Sequence, residues 1–331
     1  MPDRTPLEAA DTAPFAGFWR RVAAFLVDGV ILGLVGYGSG LVLFDAFVAM
    51  GPWGRVVGFG VALAYFVAQE SGRGGGQSLG KRLLRIRVVD AQGRPLGLAR
   101  SVARFTVFGV PYFLNGAALP MGVMTFAAGV PVAAVVLGGV LALAYLLVFN
   151  RRTRQSLHDL AVGAFVVRVR ADARGERDVP GPARVWSGHR VIAGALIVLA
   201  GAAPALYPLV GRLPLFAGLM LLEQRLQTQP ELQTVSVHAS VSKFYGATET
   251  VRHTLLIEAT VARPLADNVP LSTRLAGIAL ASYPGAAAQD VIEVRLAHGY
   301  DIGIASNWTY LDLALQPAQW ADRVAAGVGN P

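Results

Sequence analysis

Hydrophobic and polar positions fall into two textures along this chain. Over the first two thirds, long apolar runs are separated by arginine-rich segments. Val22 to Leu43 is apolar apart from Asp28, and Val56 to Ala68 is a shorter uncharged run. No charged residue occurs in the 44 positions from Thr106 to Phe149, and Val191 to Val210 makes one more run. About 20 apolar residues in a helix cross a bilayer, and Asn115, Pro120 and Pro131 are turn markers within the 44. The pattern predicts five transmembrane helices at 22–43, 53–70, 104–123, 130–149 and 191–210. The first run is longer than a signal core, contains an aspartate and lacks a small-residue cleavage pattern, so it is expected to stay in the mature protein.

Beyond residue 211 the period shortens. Leu219–Gln229 reads as a helix stopped by Pro230, and Val235, Val237, Ala239 and Val241 alternate with Ser236, His238 and Ser240 as in a half-buried strand. Residues 251–262 alternate in the same way, Ser272 or Thr273 caps a further helix, and Ile292, Val294 and Leu296 mark another strand, with one or two more over Ile302–Leu315. The order α-β-β-α-β-β predicts an α+β domain over 218–331, an antiparallel sheet with helices on one face. Residues 1–16 form a tail, and 169–190, rich in Arg, Pro and Gly, a basic linker.

Composition sharpens this picture. The 331 residues are 54% hydrophobic and only 15% charged, with a mean hydropathy of +0.49. Globular proteins carry about 25% charged residues, so this chain lacks the polar residues to coat two water-soluble domains, and disorder is excluded. With no cysteine, disulfides, thiolate metal sites and thiol nucleophiles are ruled out. The net charge of +8 is not shared evenly. Residues 1–211 hold 21 basic and 11 acidic residues, a net of +10, whereas 212–331 hold 8 and 10, a net of −2.

The basic residues also report orientation. They gather in the tail (Arg4, Arg20, Arg21), between spans two and three (Arg73 to Arg104) and after span four (Arg151 to Arg190), while the other two short loops contain only Arg55 and no basic residue. The positive-inside rule puts the three basic segments, with the N-terminus, in the cytoplasm. Five spans then place the C-terminal domain outside. Arginines so distributed fit anionic headgroups rather than nucleic acid, for which an aromatic-interleaved basic surface is lacking.

Candidate chemistry lies at the ionisable residues beside the spans. Arg21 and Asp28 are seven apart, on one helical face and about 10 Å from each other. A carboxylate at the depth of Asp28 costs about 2.5–3.5 kcal/mol, so it should face protein, as an ion- or proton-binding group or as a buried carboxylate paired with an arginine that fixes the bundle. Asp45 is expected at the far headgroup level. Gly75 to Arg82 matches G-x-x-x-x-G-K but puts Arg82 where Ser or Thr would hold magnesium. Lys81 to Asp90 is expected to be a strand, turning at Ala91–Arg94 into a basic surface hairpin. Leu157-His158-Asp159-Leu160 is expected to open a helix. Neighbouring helical side chains diverge by about 100°, and no nucleophile completes a triad. His238, His253 and His298 lie on or beside different strands and read as scattered histidines rather than a metal site. Gly299 to Ser306 reads as a strand-entry turn. Asn307-Trp308-Thr309 has the glycosylation pattern, which carries no meaning if the source is bacterial.

Arg21 with Asp28, then Gly76-Gln77-Ser78-Leu79-Gly80-Lys81-Arg82-Leu83 with Val88-Val89-Asp90, then Leu157-His158-Asp159-Leu160 occur in the order seen in the RDD family. Over residues 17–168 the chain resembles these bacterial membrane proteins, named for one arginine and two aspartates, by position Arg21, Asp28 and Asp159. Ser78 and Ser156 stand where threonine and glycine are commoner. The resemblance implies a helical membrane domain of the inner membrane with both motif aspartates near its cytoplasmic side. Some members look like cation/proton antiporters, which makes transport a family-level expectation only.

The leading expectation is a protein that moves or responds to small cations or protons, with Asp28 as the titrating group and Arg21, Asp159 and His158 as its electrostatic partners. The rival is a non-transporting anchor or assembly protein whose buried charges lock helices while its outer domain meets partners. A wet cavity at Asp28 favours the first and dry packing the second. No enzyme, resident cofactor or metal is expected. The expected partners are the lipid bilayer with its anionic headgroups, small cations or protons and, as an open alternative, a second copy of the chain.

Overall fold

The computed structural model describes residues 15–117, 126–169, 185–206, 214–244 and 250–327. Helix α1 (Phe18–Met50) is 33 residues long, with non-helical dihedrals at Leu43. At about 1.5 Å per residue it exceeds the ~30 Å hydrocarbon core. A single 3-10 turn, Gly51–Trp53, reverses the chain into α2 (Gly54–Glu70). Helix α3 (Leu79–Leu83), strand β1 (Ile86–Val89) and helix α4 (Leu98–Leu114) follow. Then come α5 (Phe126–Ala133), a π-helical turn at Ala134–Gly138 and α6 (Gly139–Phe149). Helix α7 (Leu157–Val162), strand β2 (Phe165–Arg168) and helix α8 (Ser187–Ala202) complete the first part.

Among the described residues, three helical stretches are long and apolar enough to cross a membrane: Phe18–Glu70, which holds α1 and α2, Gly129–Phe149, and Ser187–Ala205. Helix α4, expected as the third span, has 17 residues and carries Arg100 and Arg104 in its first half. Residues 118–123 of that expected span, and 207–210 of the fifth, lie outside the described residues. Apolar side chains cover the outer faces, with Val42 83% and Val198 70% exposed. A soluble protein rarely exposes so continuous an apolar surface, whereas lipid is the solvent it suits.

The surface hairpin expected over Lys81–Arg104 does not form. Ser78 caps a helical turn at Leu79–Leu83, so only Ile86–Val89 stays extended. Its partner is the distant β2, antiparallel, with Ile86 opposite Arg168 and Val89 opposite Phe165. Ile86, Val88, Val166, Leu96 and Ala24 form a small core beneath this ribbon.

The C-terminal part is the expected α+β domain: α9 (Pro214–Gln227), β3 (Leu232–Phe244), β4 (Thr250–Val261), α10 (Val269–Ser282), β5 (Val291–Asp301), β6 (Ser306–Leu315) and α11 (Pro317–Ala325). The sheet order is β3-β4-β5-β6. It is mixed rather than antiparallel, because α10 carries the chain back over the sheet and lays β5 parallel to β4. Register aligns one buried row: Val237, Ile257, Val294 and Leu313 stand opposite one another across the four strands. They pack with Leu222, Leu226, Leu275 and Trp320 of the helices, and Trp320 Nε1 donates to Ile292 O at 2.9 Å. Ser272 and Thr273, expected as caps, lie buried inside α10, which begins at Val269 with a proline in its first turn.

The tip of the β5–β6 hairpin enters the helical part. Tyr300 and Ile302 are buried with Phe47 and Val48 of α1, with Ile304 and Ala305 packed against them. Glycines make the room. A Cβ at Gly40 would overlap Tyr300, one at Gly36 would meet Ala305 and Ile304, and one at Gly58 would overlap the Ile302 carbonyl. The expected strand-entry turn is therefore an inserted loop.

Candidate functional site

Charged side chains converge where the opposite ends of these helices meet. Arg21 lies near the start of α1, Glu70 ends α2, Lys81 lies on α3, Arg104 near the start of α4, and Asp159 on α7. Asp159 closes a capping box with Ser156, its Oδ2 accepting from the Ser156 amide at 3.1 Å. This turns the carboxylate inward, where it is fully buried. Arg21 Nη2 donates to Asp159 Oδ2 at 2.5 Å, and Arg104 Nη2 and Nε donate to Oδ1 at 2.7 and 3.0 Å. Arg104 also pairs with Glu70, and Glu70 with Lys81. The result is one alternating chain, Lys81–Glu70–Arg104–Asp159–Arg21, whose far end donates to the Arg154 carbonyl. Unpaired, such charges would each cost several kcal/mol in a dry interior.

Asp28 is placed differently. It is fully buried and touches no arginine. Tyr65 Oη donates to Oδ1 at 2.7 Å, Ser78 Oγ to Oδ2 at 2.5 Å, and the Gly80 amide to Oδ1 at 2.8 Å. The glycines of the Gly76–Lys81 motif make this possible. Gly76 holds a φ of +81° that L side chains rarely adopt, and a Cβ at Gly80 would overlap the Ala24 carbonyl of α1. Gln77 Nε2 donates to Ile86 O at 2.9 Å and ties the loop to β1. Asp90 ends that strand with a turn, its Oδ1 accepting from the amides of Gln92 and Arg94, both at 2.9 Å. Thus the sequence that begins like a phosphate loop is a clasp on α1. Lys81 Nζ lies 3.5 Å from Ser78 Oγ, which joins Asp28 to the charged chain.

His158 and Asp159 are adjacent, yet His158 Nε2 lies 3.3 Å from Asp159 Oδ1; the expected divergence does not hold, because α7 is a short turn against α4. Burial, helped by Arg104 and Arg21, pushes the His158 imidazole down to about 3 and keeps it neutral. Burial alone would raise the Asp159 carboxyl, but the Arg21 and Arg104 guanidiniums outweigh it and hold it well below the usual range. With a carboxylate facing Nε2, that nitrogen carries the ring proton and Nδ1 is left as an acceptor, a tautomer inferred from its partner.

A cavity of about 250 Å³ adjoins the network, its lining made of Arg21, Lys81, Arg104 and His158 together with Phe25, Phe66, Phe105, Phe108 and Leu147. A smaller apolar one, about 60 Å³, lies between Phe66, Phe105 and Ile304 of the hairpin tip. Asp28 lines neither. At the hairpin end, Arg55 donates to Asp301 at 2.5 and 3.1 Å and to the carbonyls of Phe113 and Asn115 at the C-terminus of α4, a place where a cation opposes the helix dipole. Asp45 is exposed. His238 and His253 are exposed too, and His298 packs against Phe44. Among the described residues, no group of three or more His, Asp or Glu could hold a metal.

Of the residues singled out in the sequence, Arg21, His158 and Asp159 meet and Asp28 stands one side chain away, behind Ser78. Tyr65, Glu70, Lys81 and Arg104 were not anticipated as members. Their signal was position: Glu70 is the only acid between Asp45 and Asp90, and Arg104 is the last charge before 46 uncharged residues.

Apolar helices wrapped round a buried chain of ion pairs, joined to an α+β domain, define a helical membrane protein with a folded appendage. Residues 15–163, just under half of the chain, match the model of the RDD family, so the chain carries an RDD domain. Span α8 and the C-terminal domain lie beyond the match. No curated protein and no solved structure matches the chain.

Proposed function

We propose that this protein is a non-enzymatic membrane scaffold, and that its buried charges serve to lock helices rather than to carry ions. The observation that supports this reading is the state of Asp28. It is fully buried, meets three donors and lines no described cavity. A carboxylate that binds and releases an ion needs a route to water, and dry packing is what a latch requires. In this reading five spans cross the inner membrane with the basic N-terminal side in the cytoplasm. The C-terminal domain then faces outward and offers its sheet to partners. In support, the charge network and the Arg55–Asp301 contact lie at opposite ends of α1 and α2, roughly 40 Å apart along α1.

Transport remains the second reading, favoured by one observation. Hydrogen bonds and ion pairs run without a break from Tyr65 through Asp28, Ser78, Lys81, Glu70, Arg104 and Asp159 to Arg21. Purified protein in liposomes separates the two. The scaffold reading expects no cation or proton flux, with Asp28→Asn destabilising the protein by about 1–3 kcal/mol through the orphaned donors. Ion-dependent flux by the wild type that Asp28→Asn abolishes, at unchanged stability, overturns it.

A further inference from the structure

The cavity beside the charge network has features that helix locking does not use. Its three cations line it, whereas their carboxylates, Glu70 and Asp159, do not. The carboxylates lie behind, so the space meets the positive side of each pair. Asp28, the next nearest acid, is screened by Ser78. Other parts of the lining are apolar: Phe25 of α1, Phe105 and Phe108 of α4, and Leu147 of α6. Its volume of about 250 Å³ far exceeds the ~10–15 Å³ that one water needs.

A ligand that answers both kinds of lining carries a negative charge for the cations and an apolar body for the phenylalanines. Simple anions lack the last, and zwitterionic lipids lack the net charge. We infer that this cavity binds the headgroup of an anionic phospholipid, with the phosphodiester at Arg21, Lys81 and Arg104 and the start of an acyl chain between Phe25, Phe108 and Leu147. The site lies at the end of the helices that carries the basic loops, where headgroups of the same leaflet reach it laterally. The inference is independent of whether the protein moves ions.

Native mass spectrometry of the full chain in detergent, titrated with single lipids, tests it. Phosphatidylglycerol should bind at least about tenfold more tightly than phosphatidylcholine, the scale of one charge-assisted hydrogen bond. Glycerol 3-phosphate, a headgroup without chains, separates a lipid from a free phosphate ester and should bind more weakly than phosphatidylglycerol. Leu147→Trp fills the cavity without touching the ion pairs and should remove the preference for phosphatidylglycerol over phosphatidylcholine at unchanged melting temperature. Equal binding of phosphatidylglycerol and phosphatidylcholine, retention of the preference in Leu147→Trp, or glycerol 3-phosphate binding as tightly as the lipid would each overturn the assignment.

Discussion

The two ends of α1 and α2 are held together by opposite means. At one end, three cations and two carboxylates from five segments pair in one largely buried chain, and the fold there is specified by electrostatics. At the other, Gly36, Gly40 and Gly58 remove side chains so that Tyr300, Ile302 and Ile304 can enter, and the fold is specified by shape. Only the half-exposed Arg55–Asp301 pair adds charge there. Charge locks fail abruptly when one member is lost, because the remaining charge is stranded. Shape locks fail by degrees, as space is filled.

Breaking the charged end should have the largest effect. Asp159→Ala strands Arg21 and Arg104 and is expected to cost about 3–5 kcal/mol, read as thermal unfolding in detergent or as lost abundance. A loss below 1 kcal/mol would mean the network is not the lock. Filling the shape end should cost less. Gly58→Leu is expected to destabilise docking by about 1–3 kcal/mol, the range for overpacking. Because the chain has no cysteine, Ile304→Cys is a single probe of the tip. It should be protected from a water-soluble maleimide in the native background and labelled readily when combined with Gly58→Leu. Equal labelling in both would show that the tip is not seated.

The pH response should also belong to the charged end alone. His158 is neutral when folded down to about pH 3, but protonates near 6.5 when unfolded. Stability is therefore full above pH 6.5 and falls as pH drops through that value toward 3, by up to about 1.4 kcal/mol per unit. The depressed Asp159 carboxyl extends the loss below about pH 4. In His158→Gln, melting temperatures should be flat from pH 6.5 to 5, and a retained slope would move the effect to another group. The smallest change is expected from Arg55→Ala. Its pair with Asp301 is partly solvated and worth about 0.2–1 kcal/mol, so tip labelling should rise only slightly and should depend on salt.

Much of this was legible in order but not in pairing. The apolar runs located α1, α2, α6 and α8, and period-two alternation located the strands of the outer domain, because burial on one face imprints directly on a local pattern. The parallel β4–β5 pair was not legible, since alternation marks a strand without telling which neighbour it takes. Nor was the β1–β2 ribbon, whose partners are separated by more than 70 residues. At the site, Arg21, Asp28, His158 and Asp159 stood out by residue type and depth. That Asp28 would be met by Ser78, Tyr65 and a backbone amide, and not by an arginine, depended on the turn made by Gly76 and Gly80.

Sequence by itself determined the solvent of each part: lipid for residues with long charge-free runs, water for those that alternate. It determined too that the few acids near the spans would be costly and would need partners, since desolvation depends on residue type and depth alone. Only the tertiary structure decided which partners. Glu70, Arg104 and Asp159 are far apart in the chain, and their pairing rests on where three helix ends meet. The inserted hairpin was decided at the same level: a glycine in a helix is permission for close approach, and only the packed fold shows which segment takes it up.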